Sequence, residues 1–200
     1  QGHAFLGKHE AAPVRYQYGF RGRRDERYDL VRSVRDQRYV YIRHYMPHRI
    51  YGQYIQYMFQ TPTTRVWKQL YDEGKLKAPQ TFFWEPKPVE ELYDLEYDPD
   101  EVQNLAASPS HRAVLHRFRE AHKNWVMETR DLGFLPEGEI HQRAVDRTPY
   151  EMGRSDQDYP LAQIFEMAQL AAQRDMETLP QLVEALGAED SAVRYWGALG

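Results

Sequence analysis

From Arg38 to Tyr45 the side chains alternate with a period of two. Tyr39, Tyr41 and Arg43 fall on one face and Val40, Ile42 and His44 on the other. That period belongs to a β-strand and to no helix. Leu30 to Arg35 forms the first arm of a hairpin, with Asp36-Gln37 as the turn, although the Gly of the best hairpin turns is missing. Val14 to Phe20 (VRYQYGF) alternates in the same way, and Glu90 to Leu95 (EELYDL) reads as a further strand. Ser108-Pro109 then starts a helix to about Asp131, whose Val114, Leu115, Phe118, Ala121, Trp125 and Val126 make one apolar face. The expected fold class is α+β: a small antiparallel sheet of about four strands packed on a long helix, followed by an α-helical tail.

Between these elements the punctuation is strong. Thr61 and Pro62 predict the cap and first residue of a short helix, with Val66, Trp67 and Leu70 as its buried side and Gly74 as its end. Pro79, Pro86 and Pro88 exclude a long element before the fourth strand. Asp98-Pro99 predicts another capped helix through Asn104-Leu105. Leu132 to Asp158 is polar, contains Gly and Pro, and reads as a linker over a surface. After Tyr159, three helices are expected at Leu161 to Arg174, Thr178 to Gly187 and Asp190 to Leu199. The last two resemble a HEAT-type pair, which buries its face only by stacking on further repeats. The expected division is residues 1–140, a linker at 141–159, and the start of helical repeats at 160–200.

The chain of 200 residues contains no Cys, which excludes disulfides, zinc-thiolate sites and a cysteine nucleophile within it. Its net charge of −4 argues against general nucleic-acid binding, but the charge is uneven. Arg21 to Arg49 holds nine Arg against four acids, whereas Glu85 to Glu101 holds eight acids against one Lys. A basic surface meeting an anion or an acidic segment is the expected consequence. No stretch approaches the roughly 20 apolar residues of a membrane span. Both ends read as cuts, so the sequence is expected to be a fragment.

Two segments carry a family likeness. Tyr28 to Tyr45 (YDLVRSVRDQRYVYIRHY) is followed by Glu91-Leu92-Tyr93-Asp94 and then by Asp98-Pro99-Asp100-Glu101-Val102-Gln103-Asn104-Leu105-Ala106. In that order they resemble the C-terminal subdomain of sulfatases, which belong to the alkaline-phosphatase-like fold. Gly2 to Gly7 resembles the link after that family's main domain, and Asn124-Trp125 to Leu135-Pro136-Glu137 the end of the N-sulfoglucosamine sulfohydrolase (heparan N-sulfatase) type. The likeness covers roughly residues 1–140.

The resemblance implies a parent enzyme with a formylglycine made from Cys or Ser in Cys/Ser-x-Pro-x-Arg and a calcium beside it, both upstream of Gln1. It implies an N-terminal sulfatase domain as intramolecular partner, a sulfated saccharide as substrate, and a periplasmic or secreted location. Ser108-Pro109-Ser110-His111-Arg112 is the nearest imitation of the nucleophile motif, but its Pro and Ser are displaced and helix capping accounts for it. No catalytic or metal residue is therefore expected within the chain, and alone it should be inactive.

Arg presents a planar fork to oxyanions, and in the family this subdomain closes one side of the substrate pocket. Arg24, Asp25, Glu26 and Arg32 are the candidate substrate-binding residues, the Arg for anions and the acids for sugar hydroxyls or an amine. The competing reading pairs Arg32 with an acid such as Asp94 and leaves the loop solvated. A different class of function also fits: an interaction module that binds a protein or polyanion through the basic-aromatic sheet and the helical repeats.

Overall fold

In the computed structural model, which describes residues 4–200, four strands form one antiparallel sheet in the order β1-β2-β3-β4. They are β1 (Gln17–Arg21), β2 (Val31–Arg35), β3 (Tyr39–His44) and β4 (Glu90–Asp94). The expected α+β class stands. The resemblance drawn on Gly2 and His3 lies outside the described residues. Asp36 makes the β2–β3 turn without a glycine, because its Oδ1 accepts from the amides of Arg38 (2.9 Å) and Tyr39 (2.7 Å).

Helix α3 (Arg112–Thr129) lies across one face of the sheet. Its Leu115, Phe118 and Ala121 pack on Val34, Tyr41 and Leu92, each of which comes from a different strand. The alternation of β3 thus places Tyr41 against the helix and Ile42 on the opposite face, where Glu91 stands across from it in the β4 register and Tyr93 follows across from Val40.

Several expectations fail for local reasons. Helix α1 (Gln56–Gln60) has no sequence signal of its own. Helix α2 (Pro62–Asp72) forms at its predicted start, but it buries no residue: Val66 is 54% exposed, and Trp67 instead stacks on Phe83 at 4.8 Å. After Asp98 no helix forms. The Asp98 carboxylate does accept from the amides of Val102 (2.9 Å) and Gln103 (2.7 Å), yet Glu101 adopts φ 54°, which turns the chain out of a right-handed helix. Within residues 132–158 lie α4 (Glu137–Arg143) and α5 (Pro149–Met152), and Met152 is fully buried.

Helices α6 (Leu161–Gln173), α7 (Leu179–Ala185) and α8 (Ser191–Leu199) share a hydrophobic core with Leu30, Tyr45 and Met46 from the sheet region. Phe134 is the plug between them. Its ring meets Tyr45 at 4.8 Å and Phe165 at 5.3 Å, and its carbonyl accepts from Trp196 Nε1 at 2.9 Å. The indole N–H thereby finds the partner that a buried Trp needs.

His122 projects from α3 into this junction and is 3% exposed. Burial, with the nearby Arg43 and Arg32 charges, pushes its imidazole down to about 3. The ordinary value is about 6.5, so between the two values the unfolded chain binds a proton that the folded chain refuses. This contribution to stability is complete above about pH 6.5 and is lost as the pH falls toward the folded value. His122→Gln should therefore flatten the decline of the urea midpoint below about pH 6.5. Parallel pH profiles for the two proteins would contradict this.

Candidate functional site

The charged loop leaves the sheet at Arg21 and is closed on itself. The amide of Arg24 donates to the Arg27 carbonyl (2.8 Å) and the amide of Arg27 to the Arg24 carbonyl (3.0 Å). Asp25 adopts φ 52°, the left-handed conformation that Asp tolerates better than most residues. This tight turn exposes Arg24, Asp25 and Glu26 together. Glu26 is anchored, accepting from the amide of Gln56 at 3.1 Å, and Arg23 is held by Glu137. Asp25 borders a depression of about 450 Å³ with Tyr28, Gly133 and Glu137. Arg24 has no carboxylate partner among the described residues.

Arg32 does not join them. It is 3% exposed, and its Nη2 and Nε donate side by side to the carboxylate of Asp131, the Nη2 bond measuring 2.9 Å. Its Nη1 donates to the carbonyls of Val31 (2.9 Å) and Arg21 (3.3 Å). Gly133 permits this geometry, because a Cβ there would lie 2.0 Å from Arg32 Nη2. Asp94, the acid suggested by the sequence, is instead held by Arg38 through both carboxylate oxygens.

The other face of the sheet holds a polar network with no motif to announce it. Glu91 Oε1 accepts from His44 Nε2 (2.8 Å) and the Tyr51 hydroxyl, and its Oε2 accepts from the Tyr93 hydroxyl (2.8 Å). A carboxylate only accepts, which places the ring proton of His44 on Nε2. Burial alone would raise the Glu91 carboxyl, but the bonds from His44, Tyr51 and Tyr93 outweigh it and hold it below the usual range. The same burial and the neighbouring Glu91 charge push the Tyr51 hydroxyl far up. The network is a fixed anion supported by three hydrogen-bond donors. It forms the floor of a cleft of about 920 Å³, walled by Trp67, Phe82 and Phe83. Strand register was the only sequence signal for it, since alternation puts His44, Glu91 and Tyr93 on one face.

Beside this cleft Lys87 pairs with Asp29, and both side chains are fully buried. Burial pushes the Lys87 ammonium down, and the Asp29 charge and hydrogen bond oppose that shift. Among the described residues no three His, Asp or Glu side chains converge as a metal site requires. Among the described residues no helix is long and apolar enough to cross a membrane.

Removing one member of the Asp29–Lys87 pair leaves an uncompensated buried charge. Lys87→Met should cost about 3–5 kcal/mol, and adding Asp29→Leu should restore much of that loss. Urea unfolding of the single and double variants measures it. A double variant no more stable than the single one would show that the pair is not the source of the cost.

Comparison with known proteins gives two relatives from the bacterium Formosa agariphila, each described as an ulvan-active sulfatase. One is 38% identical over 141 residues, which is 70% of this chain and 24% of the relative. The other is 30% identical over 101 residues, covering 50% of this chain and 18% of the relative. The chain thus spans about a quarter or less of the length of these relatives, and most of it is a sulfatase-related region. No family model matches the chain.

Proposed function

We propose that this chain is the C-terminal part of a sulfatase that removes sulfate from a sulfated polysaccharide, and that it closes one side of the substrate pocket. Support comes from the relationship to two sulfatases together with one geometric observation. The Arg23–Arg27 loop holds Arg24 exposed and without a carboxylate partner among the described residues, beside two exposed acids. A guanidinium free of internal pairing can donate two N–H bonds to a pair of sulfate oxygens, and the neighbouring acids can accept from sugar hydroxyls. Arg32 contributes by holding the loop's second strand rather than by touching substrate.

In this reading the nucleophile and its calcium are carried by an N-terminal domain of the parent, a formylglycine supplying the attacking oxygen. The heparan N-sulfatase likeness makes a sulfamate, from which the amine would leave, a second substrate class to test beside sulfate esters. The parent is exported, in keeping with an extracellular polysaccharide as substrate. The α7–α8 pair begins a helical repeat array.

In the parent enzyme Arg24→Ala should raise KM for a sulfated oligosaccharide roughly tenfold, the worth of one charge-assisted contact, while leaving the melting temperature within about 1 °C. The 200-residue chain alone should not turn over an aryl sulfate. Turnover by the chain alone, or unchanged kinetics in Arg24→Ala, would overturn the corresponding part of the reading.

A further inference from the structure

At the end of the sheet away from the acidic cleft, β1, the C-terminus of α3 and α5 enclose a second depression of about 400 Å³. Its walls are the rings of Phe20, Trp125 and Tyr150 and the guanidinium groups of Arg32, Arg130 and Arg154. Two features set it apart from an ordinary surface dimple. Phe20 is 78% and Tyr150 64% exposed, so two large aromatic faces are presented to solvent beside cations. The charges are also unequally satisfied.

Arg32 is matched by Asp131. Arg130 is matched by Asp156 and also donates to the carbonyls of Gly153 and Tyr159, which fixes it as part of the wall. Arg154 has no carboxylate partner among the described residues. It lies over the Tyr150 ring, its Cζ 3.4 Å from the centroid, and donates only to the Tyr150 carbonyl at 3.2 Å. Stacking holds the guanidinium plane in place while leaving its other donors open, so little side-chain freedom is lost when it takes an anion. Trp125 is held likewise, stacked on Tyr18 at 5.0 Å with an interplanar angle of 3°.

We infer that this depression is an accessory subsite for one anionic pyranose residue of a polysaccharide, separate from the Arg23–Arg27 loop. The exposed Phe20 and Tyr150 rings offer the apolar platforms on which a sugar face packs, and Arg154 takes the oxyanion. One uncompensated guanidinium implies one charged group, a sulfate ester or a carboxylate. The choice of a saccharide rests on the function proposed above; the cleft's charge and shape do not. Such a subsite would hold the polymer at a distance from the loop and raise its residence time by linking two weak contacts.

The test is calorimetric titration of the full chain with a sulfated carrageenan tetrasaccharide, tetragalacturonate, maltotetraose and inorganic sulfate, at low ionic strength. The anionic oligosaccharides should bind and maltotetraose should not; inorganic sulfate should bind more weakly than either, because it has no sugar face. The ratio between the two anionic arms identifies sulfate ester or carboxylate as the group taken, and either satisfies the inference. Arg154→Ala and Phe20→Ala should each weaken binding about tenfold, with Arg154→Lys in between and Arg65→Ala, an exposed guanidinium on α2, within about twofold of the natural chain. Wild-type binding by both Arg154→Ala and Phe20→Ala would overturn the inference, as would equal binding of maltotetraose. Loss of binding in Arg24→Ala alone would assign it to the loop, overturning the subsite while leaving the proposed function intact. Saccharide binding that depends on Arg154, in a parent without sulfatase activity, would remove the proposed function and keep the subsite.

Discussion

The bidentate pair between Arg32 and Asp131 joins the two halves of the molecule. Arg32 stands on β2 and Asp131 just past α3, and their side chains meet across 99 positions of sequence. The Asp131 carboxylate also accepts from Gly133 at 2.9 Å, so the same group that fixes the guanidinium shapes the turn that follows. That turn delivers Phe134 into the space between Tyr45, Phe165 and Trp196. Leu30, Tyr45 and Met46, which flank the strands, therefore share a core with the C-terminal helices because one ion pair sets the path of a few residues, while the strands themselves pack on α3 in a second cluster. A buried pair of this kind gives little net stability over apolar groups of the same shape, but it is costly to break on one side only.

This arrangement divides the arginines into two populations. Arg32 and Arg43 are buried, and the guanidinium of Arg43 lies against Glu90 at 3.4 Å. Arg24 and Arg154 are exposed without carboxylate partners among the described residues. Charges that the fold has spent on itself cannot also bind a polyanion. The functional reading consequently falls on the loop and on the rim of the β1–α5 depression. The acidic cleft on the other face, with its Glu91 anion held by three donors, has the wrong sign for sulfate.

Local pattern carried much of the fold in advance. The period-two alternation of residues 39–44 and the apolar face of α3 are set by near neighbours, and both appear as expected. The α2 face misled because its Trp67 is covered by Phe83, a residue from an irregular segment that carries no period. The Asp98 cap was correctly read as an acceptor of free amides, but capping cannot ensure a helix when Glu101 takes a left-handed φ. Helices as short as α5 leave no periodic trace at all. In the candidate site, the exposure of Arg24, Asp25 and Glu26 was legible from charge and Gly22. The role of Arg32 was not, because the identity of an ion-pair partner 99 residues away leaves no mark in the local sequence.

A double-mutant cycle between Arg32 and Asp131, read by urea unfolding of the Arg32→Met, Asp131→Leu and combined variants, addresses the joining role of this pair directly. Each single change should cost about 3–5 kcal/mol, and a coupling of about 2 kcal/mol or more should appear because each partner's loss strands the other. Additive losses, or single variants as stable as the natural chain but impaired in saccharide binding, would contradict the structural role of Arg32 and return it to the substrate.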